Sequence, residues 1–312
     1  MRLHQDKNAF QAIIDRIVGN DDPKIKAILE KDYYVTLLLY ELTNNPKKRI
    51  VYFKGGTALY KALKTIGRFS EDIDLSIDAS ALNSGNKCKR FVKDVALGFK
   101  SLPIEKPLEN DIKGNIVSGR YHYDPIYKLS NDSLNRIGQV RVEVNSFSVV
   151  VPNSELTIAP HLYELSNKET KKILEDRYGI KPFKIKTMTI ERIFVDKIFA
   201  IEYYYLKEKY LDVAKHVYDV AVLYNHPQIR DLLKNKKELD RLIKYKKEEE
   251  TSNKSSVINQ KTNIKELKYF NGIKNNKEFE KSYAQMNIDY VIKERDRIDN
   301  PIDIITNLNK LL

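Results

Sequence analysis

Asp72 and Asp74 stand two residues apart in Arg68-Phe69-Ser70-Glu71-Asp72-Ile73-Asp74-Leu75, downstream of Phe53-Lys54-Gly55-Gly56-Thr57-Ala58-Leu59. Side chains alternate along a strand, so Asp72, Asp74 and Ser76 fall on one face and Ile73, Leu75 and Ile77 on the other. Two carboxylates side by side repel each other unless a cation lies between them. Hard oxygen ligands of this kind suit magnesium, which keeps several waters and takes phosphate oxygens from a substrate. The ordinary alternative is a solvated strand edge. The glycines bear on that choice. Ile50-Val51-Tyr52-Phe53 is apolar, β-branched and aromatic, which predicts a buried strand ending at Gly55-Gly56. Adjacent glycines let the backbone approach a ligand, and a helix N-terminus offers unpaired amides to phosphate. Thr57 is placed to N-cap that helix, with Ala58, Leu59, Ala62 and Leu63 as its inner face. Alone, Gly-Gly-Thr reads as a tight turn. One helix ahead of paired carboxylates, it reads as a grip for a nucleoside triphosphate beside magnesium.

Other elements must position further groups. Gln139-Val140-Arg141-Val142-Glu143-Val144-Asn145 alternates strictly, with the valines facing inward and Arg141, Glu143 and Asn145 outward. Polymerase-like phosphoryl transfer commonly uses two metal ions, and Glu143 could complete such a site. A salt bridge with a neighbouring basic residue explains Glu143 equally well. Thr189 to Leu206 is predicted to be a helix carrying Ile190, Ile193, Phe194, Ile201 and Tyr204 on one stripe, and Lys197 falls on that stripe. Such a lysine either snorkels outward along its stem or points its ammonium into a cleft, where a triphosphate needs counter-charge. Asp219, in a second helix over 211–223, has nothing in composition to separate it from an exposed helical aspartate.

The wording KGGTAL…RFSEDIDL resembles the AbiEii/AbiGii-type toxin nucleotidyltransferases, which include mycobacterial toxin nucleotidyltransferases, a branch of the nucleotidyltransferase superfamily. Gly55, Gly56 and Thr57 match the family's glycine–glycine–serine or –threonine turn, and Asp72 and Asp74 its Asp-x-Asp metal motif. Lys197 matches a lysine on a helix after the core. Asp219, preceded by Tyr218, matches an aspartate on the helix that follows, and Glu30-Lys31-Asp32-Tyr33-Tyr34-Val35 looks like the family's N-terminal helix. The likeness runs from about residue 28 to 224. It departs from the superfamily pattern at Thr57, where serine is more frequent, and at Glu143, where aspartate often stands. The resemblance implies Mg²⁺-dependent transfer of a nucleoside monophosphate from an NTP, with pyrophosphate released. It further implies the 3′ end of transfer RNA as acceptor, a block on translation, a cognate antitoxin, and membership of a toxin–antitoxin or phage-defence system. Asp219 orienting Lys197 or the nucleotide rests on the resemblance alone. Competing functions are transfer to a protein or small-molecule acceptor, phosphate rather than nucleotide transfer, and a non-catalytic RNA-binding module.

Composition agrees with a polyanionic partner. The 312 residues carry a net charge of +12, with a pI near 9.3. Residues 234–281 hold 14 Lys and Arg against 8 Asp and Glu, half of that excess. Tyr245, Tyr269, Phe270 and Tyr283 are interleaved with these lysines, either to stack on unpaired bases or as core of a lysine-rich helical face. Cys88 is the single cysteine, which excludes an intrachain disulfide framework, and the five histidines lack zinc-ligand spacing. No apolar run is long enough to span a membrane, and Met1–Lys7 lacks a secretory apolar region, so the cytoplasm is the expected compartment. The expected fold is α/β, a mixed-sheet nucleotidyltransferase core over 1–187 with N-terminal helices. A basic helical domain over 188–312 is expected to complete the active-site cleft, with Glu248–Ser256 as its loop or linker.

Overall fold

A computed structural model describes residues 1–19, 22–82, 84–113, 115–129, 137–252, 256 and 258–312. The chain divides into two compact units: Met1–Thr57, Ser70–Ser146 and Ser154–Thr187 form the first, and Ala58–Phe69, Phe147–Asn153 and Met188–Leu312 the second.

The first unit is built on a seven-stranded mixed sheet in the order β3-β4-β5-β2-β1-β7-β6. Its strands are β1 (Val51–Lys54), β2 (Ile73–Ile77), β3 (Ile112–Lys113), β4 (Ile116–His122), β5 (Gln139–Asn145), β6 (Asn153–Ile158) and β7 (Phe183–Met188). β2 lies antiparallel to β1 and parallel to β5, and β1 runs parallel to β7. The alternation read from the sequence sets the apolar face: Ile73, Leu75, Ile77, Val140, Val142 and Val144 are fully buried. Burial of each such side chain stabilises the fold by roughly 1.5–3 kcal/mol. The unit's helices are α1 (Lys7–Val18), α2 (Pro23–Thr43), α3 (Gly55–Thr57), α4 (Gly85–Leu97), α5 (His161–Leu165) and α6 (Lys168–Tyr178). Val92, Val95 and Ala96 of α4 close over β4 and β5.

α2 is buried on all sides along its middle, including three consecutive charged residues, Glu30, Lys31 and Asp32. Each has a partner, as buried charge requires. Glu30 accepts the backbone N–H groups of Ile126 and Tyr127 at 2.9 and 3.1 Å, and burial pushes its carboxyl up to about 7. Asp32 accepts the N–H of His161 at 2.7 Å. Lys31 pairs with Glu71 at 3.3 Å.

The second unit is helical: α7 (Ile190–Tyr205), α8 (Tyr210–Tyr224), α9 (Pro227–Lys234), α10 (Lys236–Ser252), α11 (Tyr269–Gly272), α12 (Lys277–Tyr290) and α13 (Pro301–Leu311). α8 is its central helix, packed by α7, α9, α12 and α13. A π-helical turn over Ala58–Ala62 also belongs here. Residues 67–69 form a short antiparallel strip with residues 290–292, through Phe69 N–H to Tyr290 O at 2.7 Å and Ile292 N–H to Gly67 O at 3.2 Å. Among the described residues, no helix is long and apolar enough to cross a membrane.

Two expectations change and one open alternative is decided. Glu248 to Ser252 is the end of α10 and not a linker, and 253–255 lie outside the described residues. Glu249 explains the helix: it is buried and accepts from Arg192 and from the Val149 N–H, while Lys246 pairs with Glu250 at 2.5 Å. Tyr269, Phe270 and Tyr283 lie in the core, so these rings have no face to offer a base; Tyr245 is half-buried beside Arg241. Thr57 is not an N-cap, because α3 begins at Gly55 directly after β1.

Candidate active site

β1 and β2 place the glycine turn against the carboxylates. Lys54 faces Asp74 across the two strands, and the chain then turns at Gly55 with φ +77°. A Cβ at Gly55 would stand 2.1 Å from Asp74 Oδ2 and 3.0 Å from Asp74 Cβ. Glycine is required here twice, by the left-handed backbone and by the carboxylate lying over it. Gly55→Ala is therefore expected to displace the Asp74 carboxylate and lower turnover roughly tenfold to a hundredfold. The far-ultraviolet dichroism should stay native. Turnover equal to wild type would mean that the position of Asp74 is not critical.

The loop before β2 is tied down from two sides. The Thr57 hydroxyl donates to the Asp72 carbonyl oxygen and accepts from Ser70 Oγ at 3.1 Å. Thr57 is buried, so its hydroxyl fixes the loop that presents Asp72. On the other side, Lys31 of α2 holds Glu71. Asp72 and Asp74 are themselves half-buried.

Glu143 on β5 is in register with Asp74 on the parallel strand β2, which puts both on the same face of the sheet. Its carboxylate is turned to Arg141 at 3.0 Å, and Arg141 also donates to Ser118 Oγ at 3.1 Å. The salt bridge that the sequence left open is made. Among the described residues, no group of three or more His, Cys, Asp or Glu could hold a metal ion. The carboxylates of Asp72 and Asp74 still fit magnesium, which is commonly held by one or two carboxylates with water and substrate phosphate making up the rest.

The second unit gathers a different set. Asp219 is fully buried on α8 and takes the Arg68 guanidinium in a bidentate pair, with Nε to Oδ1 and Nη2 to Oδ2 both 2.7 Å. Lys197 on α7 reaches Asp219 Oδ2 at 3.0 Å. Burial alone would raise the Asp219 carboxyl, but the Arg68 and Lys197 charges outweigh it and hold it at about 2. Lys197 also donates to His216 Nδ1 at 3.1 Å, and the His216 ring stacks on Tyr204 with centroids 5.2 Å apart. Desolvation, followed by the Lys197 charge, pushes the His216 imidazole well below its usual range. With two cations, one carboxylate and a neutral imidazole, the cluster keeps a net positive charge.

Gly55, Gly56, Thr57, Asp72, Asp74 and Glu143 thus belong to one group, and Lys197 and Asp219 to another. Sequence reasoning passed over Arg68, His216, Lys31 and Glu71. Three charges in a row inside the apolar α2 were a signal of buried pairing, and Arg68 lay inside the quoted motif. His216 carried no signal.

The chain matches the family described as "Nucleotidyl transferase AbiEii toxin, Type IV TA system" over residues 37–303. The match reaches past 224 and takes in α9 to α12, together with the whole of the basic segment 234–281. No curated protein matches the chain. The glycine turn packed on an Asp-x-Asp strand lies within the matched span, and by that span the chain belongs to the AbiEii nucleotidyltransferase toxins of type IV toxin–antitoxin systems.

Proposed function

We propose that this enzyme transfers a nucleoside monophosphate from an NTP to the 3′ end of transfer RNA, with magnesium as cofactor, and so blocks translation until an antitoxin restrains it. Such an activity would serve a toxin–antitoxin or phage-defence role. The observation that carries the reading is the Gly55–Asp74 contact, where a side-chain-free backbone turn lies directly against a candidate metal carboxylate. In the reaction, the acceptor hydroxyl oxygen bonds to the α-phosphorus as the bond to the bridging oxygen breaks, and pyrophosphate leaves.

Asp72 and Asp74 would hold the magnesium, with Glu143 a third candidate ligand that would have to leave Arg141. A metal held there would supply a lowered pKa for the attacking hydroxyl and counter-charge for the phosphates. Gly55, Gly56 and Thr57 offer backbone amides to the triphosphate, while the Thr57 hydroxyl is committed to the Asp72 carbonyl. Lys197 supplies counter-charge to the phosphates, and Asp219 orients Lys197 and Arg68. A transfer RNA acceptor is supported by the net charge of +12 and by exposed lysines such as Lys237, Lys244, Lys265, Lys268 and Lys274. Tyr269, Phe270 and Tyr283 are buried, so the attraction this reading invokes is that of the lysines for phosphate.

Incubation with magnesium, total transfer RNA and each α-³²P NTP, beside Asp72→Ala, tests the reading. Label on RNA that requires Asp72 is the expected result and names the nucleotide. Label on protein, or transfer from γ-³²P NTP in place of α-³²P, would overturn it in favour of another acceptor or of phosphate transfer.

A further inference from the structure

We propose that His216 is a positioning residue for the transfer reaction, one that aims the Lys197 ammonium by accepting one of its N–H groups. The inference rests on the reading of Lys197 as the phosphate counter-charge. An ammonium has three N–H donors in tetrahedral directions. Asp219 Oδ2 at 3.0 Å takes one and His216 Nδ1 at 3.1 Å takes a second. Two fixed acceptors leave one direction for the third donor. Asp219 alone would fix only one and leave the ammonium free to swivel about that contact.

The imidazole is suited to this work because it stays neutral. Lys197 from α7, Arg68 from the 67–69 segment and Lys215 on its own helix all oppose a positive ring, and Asp219 alone favours one. In a neutral ring, an Nδ1 that faces an ammonium with no acceptor of its own keeps its lone pair, which puts the ring proton on Nε2. Tyr204, one helix over, fixes the ring plane by stacking. Asp219 sets the charge of the cluster and His216 its direction.

A directed N–H matters most where negative charge builds as pyrophosphate departs, so its loss is expected in kcat more than in KM. His216→Phe keeps a ring for Tyr204 and removes the acceptor. It is expected to lower kcat about tenfold, with KM for the NTP changed less than threefold. His216→Asn restores an acceptor near the Nδ1 position and should return kcat to within about threefold of wild type. Histidine ¹⁵N spectra of the wild-type protein should show the His216 ring with Nδ1 unprotonated and Nε2 protonated at pH 7. Lys197→Met run in parallel separates the two readings. If Lys197→Met abolishes transfer while His216→Phe equals wild type, the positioning role is overturned and the Lys197 reading stands. If Lys197→Met itself stays within threefold of wild type, the Lys197 reading fails and this role with it. A His216 ring protonated on Nδ1 at pH 7 would overturn the proposal without any kinetics.

Discussion

Asp74→Asn and Asp72→Asn are each expected to lower nucleotidyl transfer by about a thousandfold or more. The substitution keeps the shape of the side chain, removes its charge and turns one acceptor oxygen into a donor. A metal's share of transition-state stabilisation in phosphoryl transfer is several kcal/mol, and roughly 4 kcal/mol corresponds to a thousandfold in rate. Either variant should keep the native far-ultraviolet dichroism, so that lost transfer reports the site and not the fold. Magnesium with NTP should raise the wild-type melting temperature and leave the variants unmoved, because only a state that binds ligand is stabilised by it. Transfer within tenfold of wild type in both variants would remove these residues from the metal site.

The strand–turn–strand frame of that site was legible because it is written in local pattern. Ile73, Leu75 and Ile77 alternate with Asp72, Asp74 and Ser76, and the valines of β5 repeat the device, so a reader of the sequence can place each carboxylate on a face. Register needs a partner strand, and nothing local says that Asp74 meets Glu143 or lies over Gly55. Thr57 shows the same limit at short range. Its type and place suit a helix cap, yet the helix starts at Gly55 and the hydroxyl goes to the Asp72 carbonyl. β6, α5 and α6 were missed for a different reason. β6 lies at the end of the sheet, and within Asn153–Ile158 only Ile158 is fully buried, so it carries little of a strand's apolar signature.

Buried charge was the largest blind spot. The run Glu248-Glu249-Glu250 reads as solvent-facing, but Glu249 is fully buried and pairs with Arg192 on α7. Lys31 and Glu71 likewise find each other across 40 residues of chain. Burial on every side of a helix, as for α2 and α8, is a property of what packs around it. An aspartate in such a helix looks the same in sequence as one in water.

Asp219 is where this difference has its largest energetic consequence. Asp219→Leu is expected to destabilise the protein by roughly 3–5 kcal/mol, because it strands the buried Arg68 guanidinium and the Lys197 ammonium without their shared anion. Urea denaturation followed by dichroism reads this directly. Arg68→Met alone leaves Asp219 with Lys197 as its one cationic partner among the described residues and should also destabilise. The double variant Arg68→Met, Asp219→Leu replaces the pair by apolar groups of similar volume and should recover the part of the stability lost by stranding Arg68, with Lys197 left on His216. Transfer activity should stay lost in the double variant, since the cluster's orienting carboxylate is gone even though the fold has returned. That split distinguishes a pair that serves the site from one that serves only the core. Recovery of both stability and turnover would make the pair purely structural, and a single-variant cost below about 1 kcal/mol would mean that Asp219 is not the hub its contacts describe. Acid should reveal the same pair. The Asp219 carboxyl sits at about 2 in the folded protein, below its ordinary 3.8, so its contribution is complete above the ordinary value and fades as pH falls towards 2. Wild type should lose stability through that window, and the double variant, having no carboxylate there to protonate, should lose less.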